Sequence, residues 1–454
     1  MKFEVLKRSN LKRNILIGVI AILMISAIIL NFTRAKYRVT ESIPLVNGTI
    51  NYSSADLNVV AVYIGNGNDY SKSDTIPESG YTLNEEKSYC TVNGEEDSSI
   101  TVSYEADTQT LNVSPLTTKG TKCYLYFDRT LNGAILTDNP NINDSRSGGI
   151  TEPLIENTTG TLFSTEDDYA TSYVYAGDVD NNWVSFAGYY WRIIRINGDG
   201  TIRLIYSGDT ESGPVETGED TQIGISAFNE QHNDNAYLGY MYGTSGSSTY
   251  DETHANINNS TIKMVLDNWY ESNLIVYKQY ISTEAGFCND REIFTDTSSW
   301  VEQDYYGILG YGMEPTIYDS RFAIGNITAR EVQNPTLKCS QINQDLFTTS
   351  ESNKGNHALT NPIGLINTDE LVLAGGFMGS NNTNYYLYTG NTYWTMYPGV
   401  FSGGHAFIQA VNEGGNMRGE VASSTYGVRP VINLSADITI FSGDGTQSNP
   451  YVIS

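Results

Sequence analysis

Residues 393–433 read YWTMYPGVFSGGHAFIQAVNEGGNMRGEVASSTYGVRPVIN, and the reading of this stretch decides the fold. Tyr393, Trp394, Met396, Tyr397 and Phe401 crowd into its first nine positions. Ala406, Phe407, Ile408, Ala410 and Val411 form a short apolar run that predicts a strand. Gly414 and Gly415 permit a turn with positive φ, and Val421 restarts a strand. The unit closes on Gly427-Val428-Arg429-Pro430-Val431-Ile432. Pro430 has no N–H to give to a ladder, so this last piece is an edge or the start of a strand.

Further upstream, Tyr190–Ile196 and Thr201–Tyr206 flank Asn197-Gly198-Asp199-Gly200, the strongest hairpin signal in the chain. Trp191, Ile193, Ile202, Leu204 and Tyr206 are its candidate core positions. Ile262, Val265, Leu266, Trp269, Val276 and Tyr280 recur near helical spacing, which predicts a helix over 261–280 capped by Ser260 or Thr261, with Asn273 as a point of interruption. A second, short helix is predicted over 368–374, capped by Asn367 or Thr368 and stopped by Gly375-Gly376. The chain ends in a further apolar pair, 439–441 and 451–453.

The YWTM…P…GVRPVI pattern, with residues 177–206, 260–270 and 361–376, resembles an uncharacterised group of bacterial surface domains allied to the formylglycine-generating enzyme (sulfatase-modifying factor) and C-type-lectin-like fold. The resemblance covers roughly residues 160–454. It implies a fold and an extracytoplasmic location, and it implies that the first and last strands of this domain lie side by side. It carries no activity. Formylglycine-generating enzymes use active-site cysteines late in their domain, and the matching stretch here has none, so the expectation is a protein that is not an enzyme of that kind. The EPN, QPD and WND triplets of calcium-dependent lectins are absent as well.

The expected class is mainly β with a few helices (α+β). Residues 1–38 form a cytoplasmic tail and signal anchor, 39–130 a small β-sandwich-like domain, 131–160 a turn-rich linker, and 161–454 the C-type-lectin-like domain. Residues 15–32, ILIGVIAILMISAIILNF, carry no charge over 18 positions, about 27 Å as a helix. Five basic residues precede this run and three follow, which favours a cytoplasmic N-terminus; a cleaved signal peptide is the alternative. Of 26 basic and 52 acidic residues, eight basic and one acidic fall in 1–38, so the rest holds 18 against 51, a formal charge of −33. Such a surface repels nucleic acid. Asn93-Gly94 marks a hairpin within the small domain.

Four cysteines divide two and two between the domains, with no C-x-x-C. An exported chain of this kind predicts Cys90 paired with Cys123 and Cys288 with Cys339, each worth about 3–4 kcal/mol. Four reduced, buried thiols are the alternative.

Catalytic signatures G-x-S-x-G, H-E-x-x-H and the P-loop are absent. Asp178-Val179-Asp180-Asn181-Asn182 has the D-x-D-x-N opening of a calcium loop, but Trp183 and Tyr189 replace the Gly and Glu that an EF-hand needs; a polar turn is the simpler reading, calcium through another loop geometry is the alternative, and no cofactor is assigned. His232, His254, His357 and His405 are scattered. The expected ligand face is the late loops: Tyr385, Tyr386 and Tyr388, then Tyr397, Phe401, His405, Asn412 and Asn416. Tyrosine offers apolar area with a polar tip, suited to a protein or glycan ligand. Trp394 and Met396 are read as core, and Tyr397 and Phe401 suit either role. The expected function is a membrane-anchored surface binding module, adhesin-like; a structural component of a surface assembly comes second and an enzyme third.

Overall fold

The computed structural model describes residues 57–292 and 334–453, apart from 67–68, 78, 106–107, 109, 116–119, 145, 147 and 248, together with 49–50 and 316–317. Among the described residues no helix is long and apolar enough to cross a membrane; the predicted anchor, 15–32, lies outside them. The chain divides into two compact units at Asp128/Arg129.

The first unit is all β. A three-stranded sheet contains Thr101–Glu105 and Thr110–Ser114, and a six-stranded sheet centres on Thr121–Arg129, paired with Leu57–Asn66 and Tyr89–Val92. Val62, Leu83, Val102, Leu111, Leu125 and Phe127 share one core. Cys90 and Cys123 sit opposite each other across neighbouring strands and are joined as a disulfide. Asn93 and Gly94 both take positive φ, as their hairpin requires.

The second unit is built on a nine-stranded and a seven-stranded sheet. The predicted hairpin forms the heart of the larger sheet: Tyr189–Ile196 pairs antiparallel with Ile202–Asp209, which pairs in turn with Val431–Leu434. That last strand starts directly after Pro430, where a missing N–H costs no ladder bond. Tyr393–Ser402, His405–Val411 and Asn416–Val421 form an antiparallel run in the smaller sheet. Cys288 and Cys339 form the second disulfide.

The long helix is shorter than its apolar spacing predicts. Thr261–Asn273 is α-helical, capped by Ser260, and Ile275–Tyr280 tightens to a 3-10 turn. Asn273 bends back to donate to Trp269 O and accepts from Tyr189 OH, so it ends the α-helix by local competition. Val276, expected to face the core, is 75% exposed in consequence. Thr368–Leu373 carries a full capping box between Asn367 and Glu370.

The stretch 131–160 is not a linker. Leu131–Asp138 is a helix capped by Thr130, with Leu131, Ala134 and Ile135 buried in the main core. Its buried side includes Gly133, which hides the apolar period in the sequence. The two ends of the second unit do approach, because Thr130 bridges Thr439 and Leu131 N–H donates to Ile438 O. The last strand, however, pairs with Trp183–Phe186 and not with the first strands of the unit.

Glu370 joins two buried arginines to its own helix cap. Its carboxylate caps its own helix at Asn367 N–H, pairs with Arg203 at 2.5 Å and with Arg195 at 3.1 Å, and Arg195 pairs on with Asp167 at 2.8 Å. Burial pushes the Glu370 pKa up, but Arg203 and Arg195 outweigh it and hold the group below its ordinary value. A lowered carboxylate contributes stability above its unfolded pKa, about 4.3, and loses it as pH falls through the lower folded value. Glu370→Gln leaves two buried guanidinium groups short of charge. The expected result is a loss of about 3–5 kcal/mol at neutral pH, read by urea unfolding. The gap between variant and parent should narrow below about pH 4, and a gap independent of pH would contradict the ion network.

Candidate functional site

Six of the eight residues of the expected ligand face have structural work in the fold. Tyr397 and Phe401 are 1% and 2% exposed, and Tyr385 and Tyr386 are 3% and 6% exposed. The cause is strand position. Tyr393–Ser402 is an interior strand, with His405–Val411 along one edge and Thr425–Gly427 and Thr316–Ile317 along the other, and both its faces pack inward: Phe401 lies in the main apolar cluster and Tyr397 in a smaller one. Tyr397 packs with Leu346 and the Cys288–Cys339 disulfide. Trp394 donates its indole N–H to Ser226 O, and Tyr393 its hydroxyl to Leu387 O. Trp394 and Met396 are core, as read from the sequence.

Asn412 accepts from Gly414 N–H and Asn416 N–H, and Asn416 accepts from Gly379 N–H. Asn412 thus shapes the turn that carries it, and Asn416 ties that turn to the segment at Gly379. Gly415 in that turn has φ +73°, and a Cβ there would meet Asn382 O at 1.8 Å, so no other residue fits. Tyr388 is half-buried and His405 is exposed at the tip of its hairpin. The His405 ring stacks on His232 at 4.8 Å, and His232 Nδ1 lies 2.9 Å from Ser423 Oγ. The late loops therefore present one histidine pair and one tyrosine edge rather than an aromatic face.

The acidic turns keep their plain role. Asp180 accepts from Thr159 Oγ, Asp199 from Thr201 and Asp444 from Thr446, while Asn182 binds Arg192 and Ile193 O. Among the described residues no three His, Cys, Asp or Glu side chains gather as a metal site.

A concave surface lies elsewhere in the second unit. A cleft of about 460 Å³ opens where the long helix ends, between Tyr270, the 3-10 turn, and the loops at 349–351 and 360–362. Its walls carry hydroxyls from Thr283, Ser350 and Thr360, amides from Gln279 and Asn361, and one charge of each sign, Lys278 and Glu351. Lys278, Gln279, Ser350, Glu351 and Thr360 are exposed. Thr349 donates to Thr283 O, and Asn361 donates to Asp267, which ties both walls to the framework. Burial pushes the Tyr270 hydroxyl up to about 12, so it stays a neutral phenol across the physiological range. Such a cleft can bind a polar, nearly neutral ligand by many modest hydrogen bonds. Sequence reading missed it because its residues are ordinary polar types spread over three segments. The one local signal is the helix break at Asn273, which creates the recess.

The burial of Tyr397 and Phe401 has a direct consequence. Phe401→Ala is expected to destabilise by about 3–5 kcal/mol, and His405→Ala by less than about 0.5 kcal/mol, in thermal or urea unfolding. Equal, small effects in both would return Phe401 to the surface.

Comparison of the chain with family models, with curated proteins and with solved structures finds no match.

Proposed function

We propose that this chain is an extracellular binding module of a bacterial surface, held to the membrane by the helix predicted over 15–32, whose second unit takes a polar ligand in the cleft beside Tyr270. The second unit is read as a C-type-lectin-like, formylglycine-generating-enzyme-like domain without catalytic cysteines. The observation that carries the proposal is the cleft itself: concave, lined by hydroxyl and amide groups, and flanked by exposed side chains of both signs. A glycan segment suits it better than an apolar or strongly charged ligand, because sugar hydroxyls both donate and accept as these walls do. The two disulfides, one in each unit, support an oxidising compartment.

Two measurements test the proposal. Protease added to intact, wall-stripped cells should degrade the bulk of the protein, and full protection would refute the orientation. A glycan and protein array probed with the full chain should return a polar ligand. Gln279→Ala with Glu351→Ala should weaken that binding about tenfold, about 1.4 kcal/mol, with the melting temperature unchanged because both side chains are exposed. Unchanged affinity in the double variant would remove the cleft as the site.

A further inference from the structure

The aromatic face that the late loops lack is present, half-buried, in the first unit. Along Thr121–Arg129, Cys123, Leu125 and Phe127 point into the core, so Tyr124 and Tyr126 fall on the opposite face. The strand register places Tyr63 beside Tyr126 and Tyr89 beside Tyr124. The rings stack as pairs, with centroids 4.7 and 4.8 Å apart and planes within 11° and 15°. Tyr70, on the next strand, meets Tyr126 edge-on at 5.0 Å. Five half-buried tyrosines thus line four neighbouring strands, a strip about 14 Å across.

A cation already sits on this strip. Lys87 Nζ lies 4.5 Å over the Tyr70 ring and donates to the Tyr70 hydroxyl at 2.9 Å. The Tyr70 hydroxyl donates to Asp128, and Asn84 donates to the other Asp128 oxygen at 2.7 Å. The surroundings are acidic. Residues 57–128 hold eleven acidic and four basic side chains, and Glu85, Glu86, Glu95 and Glu96 are exposed next to Lys87 or on the strand beyond Tyr89.

We propose that this tyrosine strip is a docking surface for a cationic segment of a partner protein, a run bearing Arg or Lys side chains. An aromatic face attracts a cation through its quadrupole, and the acidic rim draws the same partner in. Ring separations equal to the strand spacing mean that the paired rings stand on edge, normals along the sheet. A sugar needs a broad, flat platform, which upright rings do not offer. A cation needs only one free ring side, as Lys87 shows on Tyr70. A second copy of the chain, itself at a net charge of −26, is opposed by like charge.

The experiment uses the full chain and a fluorescein-labelled peptide of alternating Arg and Gly, read by anisotropy at about 50 mM salt. Tyr124→Leu with Tyr126→Leu should weaken binding about tenfold, and Tyr124→Phe with Tyr126→Phe should stay within about twofold, because phenylalanine keeps the ring. If the Leu pair binds like the parent, charge alone attracts the peptide and the proposal falls. If the Phe pair loses as much as the Leu pair, the hydroxyls and not the ring faces hold the peptide, and the proposal falls. Should the Leu pair fail to fold, Lys87→Ala decides. It uncovers the Tyr70 ring and should tighten binding about threefold more than the charge-matched Lys72→Ala. Equal gains in the two variants overturn the proposal. The strip is independent of the cleft in the second unit, so failure here leaves that reading standing.

Discussion

Buried guanidinium groups are the constraint around which the second unit is assembled. Arg192, Arg203, Arg291 and Arg429 are each 1% exposed, and none can shed its charge at physiological pH. Every one must gather donors' partners from distant parts of the chain, and in doing so it fixes where those parts go. Arg203 and Arg195 take Glu370, which joins the central hairpin to the short capped helix. Arg291 takes Asp345 at 2.7 Å, beside the second disulfide. Burial pushes Asp345 up to about 6 against the pull of Arg291, the mark of a pair that holds by geometry as much as by charge.

Arg192 and Arg429 solve the same problem without a close carboxylate. Arg429 donates to Tyr206 O, Thr221 O and Leu387 O, and lies 5.0 Å from the Tyr393 ring. Arg192 donates to Val179 O and Asn182, and sits between the rings of Trp183 and Tyr386; its nearest acid, Glu216, is 3.9 Å away. Burial lowers both groups, Arg192 to about 10, which leaves each charged at neutral pH. Carbonyl oxygens and ring faces disperse the charge, so the arginine of the GVRP run becomes a hub for the hairpin, the loop after it and the aromatic strand. This is why residues 393–433 organise the unit: they supply both the central strand and the cation that closes over it.

The sequence discloses whatever is encoded locally. The Asn-Gly hairpins, the Asn367–Glu370 cap, the interruption at Asn273 and the strand that begins after Pro430 all rest on short-range chemistry, and each is found where its residues place it. Disulfide pairing was legible because both members of each pair fall within one unit. What is not local is not legible. Whether Tyr397 and Phe401 meet solvent depends on what packs against the faces of Tyr393–Ser402, and for Tyr397 that is Cys288, Cys339 and Leu346, far away in sequence. The helix at 131–138 was hidden for the same reason: its burial comes from Ile438 and its neighbours, far along the chain. The cleft has no motif at all, since its hydroxyls and amides become a site only through the fold.

The 33 tyrosines of the chain show how one residue type is divided by context. In the second unit, several buried tyrosine hydroxyls are anchored: Tyr393 to Leu387 O, Tyr240 to Ile363 O, Tyr175 to Asn139 and Asn181 O. Burial raises these phenols, so they stay neutral and serve as donors inside a packed core. In the first unit the core is smaller and its aliphatic side chains already fill it, which leaves Tyr63, Tyr89, Tyr124 and Tyr126 on the far side of a single sheet. Cross-strand stacking stabilises that sheet by itself. Stacking alone, however, does not require the fifth ring, the lysine seated on it or the acidic rim, and those are the features that turn a stabilising ladder into a surface with a preferred partner.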